Sequence, residues 1–228
     1  MEYAAGRAGV TYFQTFLQRV FTWMLLGLLT TGLVAAAIGA SDSLLTDITQ
    51  TPGLVIGVIV AQLGLVLVLS FGINRMSSTT ATVLFFLYAA LVGVTFAFVF
   101  ELYTAQSIFT TFLVTAAMFA VLAFIGATTQ RDLTSLGTIL FAALIALIIA
   151  TVVNIFVASS ALYWVTTYAG VLIFAGLTAY DMQKLRKYGE QAQGGEAASR
   201  AAVIGALALY LDFINLFLFL LRILGSRR

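Results

Sequence analysis

The sequence predicts an all-α integral membrane protein, one domain of seven transmembrane helices, and three observations carry that expectation. Hydrophobic residues fill 62% of the 228 positions and charged residues only 9%, whereas a soluble domain runs roughly 45 to 50% apolar and about 25% charged. The few charges punctuate long uncharged runs instead of spreading evenly. Each run has the length of a helix that crosses a bilayer, which needs about 20 apolar residues.

The runs can be taken in order. Arg19 and Asp42 enclose 22 uncharged residues, Asp47 and Arg75 enclose 27, Arg75 and Glu101 enclose 25, and Glu101 and Arg131 enclose 29. Each is one span. The uncharged run Leu133 to Tyr180 has 48 residues, too long for one helix and suited to two joined by a turn near Ala158, Ser159 and Ser160. A polar, glycine-containing stretch from Lys184 to Arg200 precedes the last apolar run, Ala201 to Leu224, which Asp212 and Arg222 interrupt. The predicted spans are about 20–40, 54–73, 82–100, 105–126, 135–157, 162–183 and 202–224. The first is read as a retained helix, because the apolar core of a signal peptide is only about 7 to 15 residues long.

Seven crossings put the termini on opposite faces, and basic residues mark the cytoplasmic one. With the N-terminus inside, Arg7, Arg19, Arg75, Arg131, Lys184, Arg186, Lys187 and Arg200 all fall on the cytoplasmic side. Arg222, Arg227 and Arg228 then fall outside if the last segment crosses fully; a re-entrant last helix would return them to the cytoplasm. Small residues recur four apart, at Ala35 and Gly39, at Ala142, Ala146 and Ala150, at Ala175 and Ala179, and at Ala201 and Gly205. That spacing favours close helix packing within one subunit.

Composition excludes several chemistries. The chain has no cysteine and no histidine, so disulfides, thiolate metal sites and imidazole general bases are ruled out, and proton chemistry falls to carboxylates. The formal charge of +2 is too small to point to nucleic acid.

The residues that need an explanation are Asp212, Asp181 and Arg75. Asp212 lies about a dozen residues into the last run, with Asn215 nearly one turn on along the same face. An ionisable group at that depth faces a bundle interior or a water-filled path and is a functional candidate by default. Asp181 ends the sixth span just before Lys184, Arg186 and Lys187, and Arg75 ends the second. The predicted topology brings all three to one half of the bilayer. Two carboxylates close together share one proton and titrate as a pair, and a nearby arginine would favour their ionised form. Paired oxygen ligands also suit a hard cation such as calcium in passing. Glu101, Asp42 and Asp47 are read as solvated outer-loop residues. Gln62 and Asn154, within spans, are candidates for bridging helices.

Four segments resemble a known family. Phe174–Lys184, FAGLTAYDMQK, and Ala208–Gly225, ALYLDFINLFLFLLRILG, are similar to signature segments of the transmembrane Bax inhibitor motif family. Gln62–Ser77, QLGLVLVLSFGINRMS, and Thr129–Phe156, with RDLTSLG and VNIF, agree with it in the same order. The resemblance implies a bundle whose last helix is central with six around it, a C-terminus outside, and a pH-sensitive calcium leak. It implies that Asp181 and Asp212 form the proton sensor and line the ion path, that Arg75 is a latch, and that calcium is a permeant ion and not a bound cofactor. The chain lacks the lysine-rich tail of eukaryotic relatives, so an apoptotic role is not carried over. Its short tail and compact loops point to a prokaryotic inner membrane protein.

Two other readings compete. Paired aspartates also serve intramembrane aspartyl proteases, but Leu209, Tyr210 and Leu211 precede Asp212 in place of a Gly-x-Gly element, and no proline follows Pro52. The chain is therefore read as non-enzymatic. The runner-up is a regulator that binds a membrane-bound quality-control protease through the N-terminal 19 residues and the stretch from Lys184 to Arg200.

Overall fold

A computed structural model describes residues 2–191 and 194–228. The side chains of residues 2–12 and of positions 42, 49, 52, 74 and 191, which include Arg7 and Asp42, lie outside the described residues. Helices form nearly the whole of what is described: α1 (Glu2–Gly39), α2 (Asp42–Gln50), α3 (Pro52–Gly72), α4 (Ser78–Leu102), α5 (Ala105–Thr128), α6 (Thr134–Val157), α7 (Ser160–Gln191) and α8 (Gly195–Leu224). A single 3-10 turn, Ile73–Arg75, separates α3 from α4. Seven of the helices are long and apolar enough to cross a membrane, at Phe13–Gly39, Gly53–Gly72, Ser78–Leu102, Ala105–Thr128, Thr134–Val157, Ser160–Glu190 and Gly195–Leu224. Each coincides with a predicted span.

Helix ends follow local chemistry. Pro52 opens α3, where its missing N–H costs nothing. The Ser77 hydroxyl accepts the Thr80 N–H at 3.1 Å and caps α4. Ala158, at φ 50, ends α6 in the left-handed region at the turn expected there. α2 is a helix where the sequence suggested only a solvated loop; Ser41 caps it, and Asp47 within it is exposed. The stretch after Lys184 also differs from expectation. Both helices run past the apolar boundary, α7 to Gln191 and α8 from Gly195, and Gly194 and Gly195, at φ 83 and 81, sit at the break. α8 is one uninterrupted helix of 30 residues, about 45 Å at 1.5 Å per residue. It does not fold back on itself.

The chain forms two compact units. The first comprises the chain through Thr104, Tyr188–Tyr210 and Arg227–Arg228; the second comprises Ala105–Lys187 and Leu211–Ser226. In the first, Tyr210 of α8 is fully buried against Phe85 and Tyr88 of α4, with ring centroids 5.7 and 6.0 Å away. Its hydroxyl lies 2.6 Å from the Thr31 hydroxyl of α1, which is 2.9 Å from the Ala89 carbonyl of α4. A methyl at Gly27 would collide with Phe85, so glycine lets α1 approach α4 here. Gln62 does bridge helices, donating to the Leu91 carbonyl at 2.8 Å and to the Thr95 hydroxyl at 2.7 Å.

In the second unit the core gathers Leu147, Ile173, Phe174, Leu177, Leu216, Phe219 and Leu220. Asn154 does not bridge helices as expected; its side-chain oxygen accepts the Ser159 N–H at 2.9 Å and closes its own turn. Ala175 and Ala179 are buried, whereas Ala142 and Ala146 of the longest alanine stripe are exposed. α8 is the most buried span, with 67% of its apolar window covered against 6 to 44% for the others. It carries Asp212.

Candidate functional site

The stretch of α7 and α8 that holds Asp181 and Asp212 is set by aromatic packing. Phe174 of α7 stacks on Phe219 of α8 at 5.9 Å. Asp181 lies seven residues beyond Phe174, and Asp212 seven residues before Phe219. Because α7 and α8 run in opposite directions, two turns on each brings the aspartates level. Glycines hold the neighbouring helices close to α7 at this height. A methyl on Gly126 of α5 would strike the Ala179 carbonyl, and one on Gly137 of α6 would strike the Tyr180 ring. Phe213, beside Asp212, meets Phe112 and Phe119 of α5 at 5.5 and 5.6 Å.

Asp212 is 4% exposed and Asp181 half-buried. The Oδ2 atom of Asp212 is buried without a hydrogen-bond partner. Native interiors leave few polar atoms in that condition, and each calls for a reason such as water, an ion or a proton. The Thr111 hydroxyl, on the buried face of α5, is also unpartnered. Asn215 gives the pair no support, because its side-chain N–H donates to the Leu211 carbonyl of its own helix at 2.8 Å. Among the described residues no three His, Cys, Asp or Glu side chains gather into a group that could hold a metal ion.

A residue the sequence reading missed sits two positions from Asp181. Gln183 is 2% exposed, accepts the Leu133 N–H at 2.9 Å and donates to the Arg131 carbonyl at 2.8 Å. It ties the loop between α5 and α6 to α7. Arg186 adds a bond to the Ala127 carbonyl at 2.8 Å, and Lys187 pairs with Asp132 at 2.8 Å. The Lys187 ammonium and the Thr134 bonds hold the exposed Asp132 carboxyl down at about 2. Nothing in the YDMQK segment marks this role, because the partners of Gln183 lie some fifty residues away in sequence and are brought to it only by the fold.

Arg75 belongs to the first unit and is exposed at the end of the 3-10 turn. It borders a recess of about 650 Å³ with Leu67, Val68, Phe71 and Gly72. Its turn is clamped from α8: Arg200 donates to the Met76 carbonyl at 3.0 Å, and the Glu196 carboxylate accepts both the backbone N–H and the hydroxyl of Ser78. Arg222, which interrupts the last apolar run, is half-buried beside aromatic rings, 5.1 Å from the Phe219 centroid and 5.5 Å from that of Tyr163.

Seven apolar helices and a buried Asp212 in the most buried of them define a helical integral membrane protein with an ionisable interior. The chain belongs to the Bax inhibitor family, since the family model described as "Inhibitor of apoptosis-promoting Bax1" matches residues 13–228. It is 47% identical over 224 residues to the inner membrane protein YbhL of Escherichia coli, covering 97% of this chain and 94% of that relative. Relatives of unassigned function from Borreliella burgdorferi and Deinococcus radiodurans are 44% and 42% identical, covering 93% and 94% of this chain and 92% and 91% of their own lengths.

Proposed function

We propose that this protein is a non-enzymatic, proton-regulated cation leak that passes calcium, with Asp181 and Asp212 as the sensing pair. The observation that carries the reading is the Asp212 carboxylate, buried with one oxygen unpartnered and level with Asp181. A carboxylate so placed takes up a proton or meets a partly hydrated cation, and its charge state biases how α7 and α8 pack. Calcium favours oxygen ligands and tolerates irregular geometry. Two carboxylates without a third ligand residue suit a transient stop for the ion.

The orientation belongs to the same reading. With α1 entering from the cytoplasm, Arg19, Arg75, Arg131, Lys184, Arg186, Lys187 and Arg200 lie on the inner side, as the positive-inside rule requires, and the C-terminus lies outside. The likeness to an inner membrane protein of a bacterium supports a bacterial inner membrane location.

The test is calcium entry into liposomes that contain the purified protein, measured from pH 5 to 8. Wild type is expected to show a flux that changes with pH. Asp181→Asn and Asp212→Asn should flatten that dependence, and Arg75→Ala, at the position the family resemblance makes a latch, should raise the resting flux. Flux no greater than in empty liposomes, with folded and inserted protein, would reject the leak and favour the protease-binding reading.

A further inference from the structure

The second unit holds a cation without a counter-charge. Arg222 lies in the last turn of α8, half-buried, with the rings of Phe219 and Tyr163 as its neighbours. A cation–π contact softens the charge but supplies no lone pair, so the guanidinium N–H groups still need acceptors. Among the described residues none is supplied. Residues 105–130, 133–180 and 213–226 of this unit contain no other Asp, Glu, Lys or Arg. Measured along the helices at 1.5 Å per residue, Asp212 is about 15 Å from Arg222 and Asp181 about 27 Å from Tyr163. Asp132 is already paired with Lys187. A guanidinium removed from water without an anion is costly, so the anion has to come from outside the unit.

The first turns of α7 supply further donors. The hydroxyls of Tyr163 and Tyr168 and the indole N–H of Trp164 also have no partner among the described residues. The three rings follow one another, Tyr163 and Trp164 with centroids 5.6 Å apart, Trp164 and Tyr168 stacked at 5.8 Å and 25°. Trp164, Tyr168 and Leu172 recur at four-residue spacing on one face of α7 and are 42, 54 and 72% exposed. An apolar ridge therefore leads away from Arg222 along a membrane-spanning helix. Tyrosine and tryptophan at the end of such a helix mark the depth of the lipid headgroups.

We propose that Arg222, Tyr163 and Trp164 bind the phosphate of a membrane phospholipid whose acyl chain lies along the ridge of Trp164, Tyr168 and Leu172. At headgroup depth the abundant anion is the lipid phosphodiester. Guanidinium matches it with two parallel charge-assisted hydrogen bonds, and the Tyr163 hydroxyl and Trp164 N–H add neutral ones. The ridge is what a lipid uses and a free anion does not. The site lies outside the aspartate pair and stands independently of the leak.

Trp164 is one of two tryptophans, so in a Trp23→Phe background it is a fluorescent reporter beside the site. The full chain, purified and delipidated in detergent, is titrated with phosphatidylcholine brominated on its acyl chain, whose zero net charge removes general electrostatic attraction, and separately with an equally brominated diacylglycerol. Quenching by the phospholipid should saturate. Arg222→Gln should raise the half-saturating concentration about tenfold, the scale of one charge-assisted hydrogen bond. Tyr163→Phe keeps the ring beside the guanidinium and should raise it about threefold, the scale of one neutral hydrogen bond, which keeps the idea testable if Arg222→Gln does not fold. Diacylglycerol, which lacks the phosphate, should bind at least about tenfold more weakly by the same measure and be indifferent to Arg222→Gln. An Arg222→Gln curve that overlays that of the Trp23→Phe protein, or a Tyr163→Phe curve that does so where Arg222→Gln does not fold, overturns the proposal. So does equal quenching by diacylglycerol. Reversal of the quenching by millimolar inorganic phosphate would make this a free-anion site and overturn it as well.

Discussion

Tyr210 and Asp212 stand two residues apart on α8, both almost wholly buried, yet their polar atoms meet opposite conditions. The Tyr210 hydroxyl is bonded to Thr31, whose hydroxyl in turn reaches the Ala89 carbonyl. The Asp212 Oδ2 has no partner. A satisfied buried network fixes packing, whereas an unsatisfied one carries a free-energy cost. The same helix therefore contributes an anchor to the first unit and a strained acid to the second.

The comparison is broken outright at Gly126. Valine there would drive its side chain into the Ala179 carbonyl, a backbone atom that cannot swing aside. The expected cost is about 3 kcal/mol or more, at the top of the overpacking range. Thermal unfolding of the variant in detergent should show the largest fall in melting temperature of those predicted here. A melting temperature within 1 or 2 °C of wild type, roughly what less than 1 kcal/mol produces in a chain of this size, would mean that α5 does not hold α7 in this register.

The sign of the comparison can be tested directly. Asp212→Leu removes the unpartnered oxygen and replaces the acid with an apolar side chain, so it should stabilise by about 1 to 3 kcal/mol, the usual penalty of an unsatisfied buried polar group. The same variant should lose the pH dependence of flux. Tyr210→Phe should do the reverse, lowering stability by about 0.5 to 1.5 kcal/mol for one lost hydrogen bond while leaving the pH dependence intact. Melting curves and liposome flux on the two variants check both predictions. If Asp212→Leu destabilises the protein as Tyr210→Phe does, Asp212 is a structural acid whose partners the fold supplies.

The seven spans were legible because charges in this chain occur where helices leave the membrane, so Arg19, Arg75, Glu101 and Arg131 delimit them. Asp212 was legible for the complementary reason, as an acid where apolar residues alone would be expected. The boundaries that failed are those where helix and membrane part company. α7 and α8 continue as polar helices to Gln191 and from Gly195, and α2 is a short helix among polar residues, none of which an apolar count can detect. Gln183, Tyr210 and Gly126 were illegible for another reason. An amide, a phenol and a glycine in apolar helices acquire their roles only from the Arg131 carbonyl, the Thr31 hydroxyl and the Ala179 carbonyl, which tertiary packing brings to them.

The smallest expected effect sharpens the assignment of the sensor. Asp132 is another acid of the second unit, exposed and paired with Lys187. With its carboxyl held at about 2 by Lys187 and Thr134, below the unfolded value of about 3.9, its folded-state pairing is fully present above that unfolded value. The pairing is lost only as the pH falls toward 2. From pH 5 to 8 Asp132 stays ionised and its charge does not change. Asp132→Asn should therefore leave the midpoint of the flux–pH curve unmoved, and exposed pairs contribute little to stability. A shift of that midpoint by half a pH unit or more would mean that the α5–α6 loop, and not the buried pair alone, reads the proton concentration.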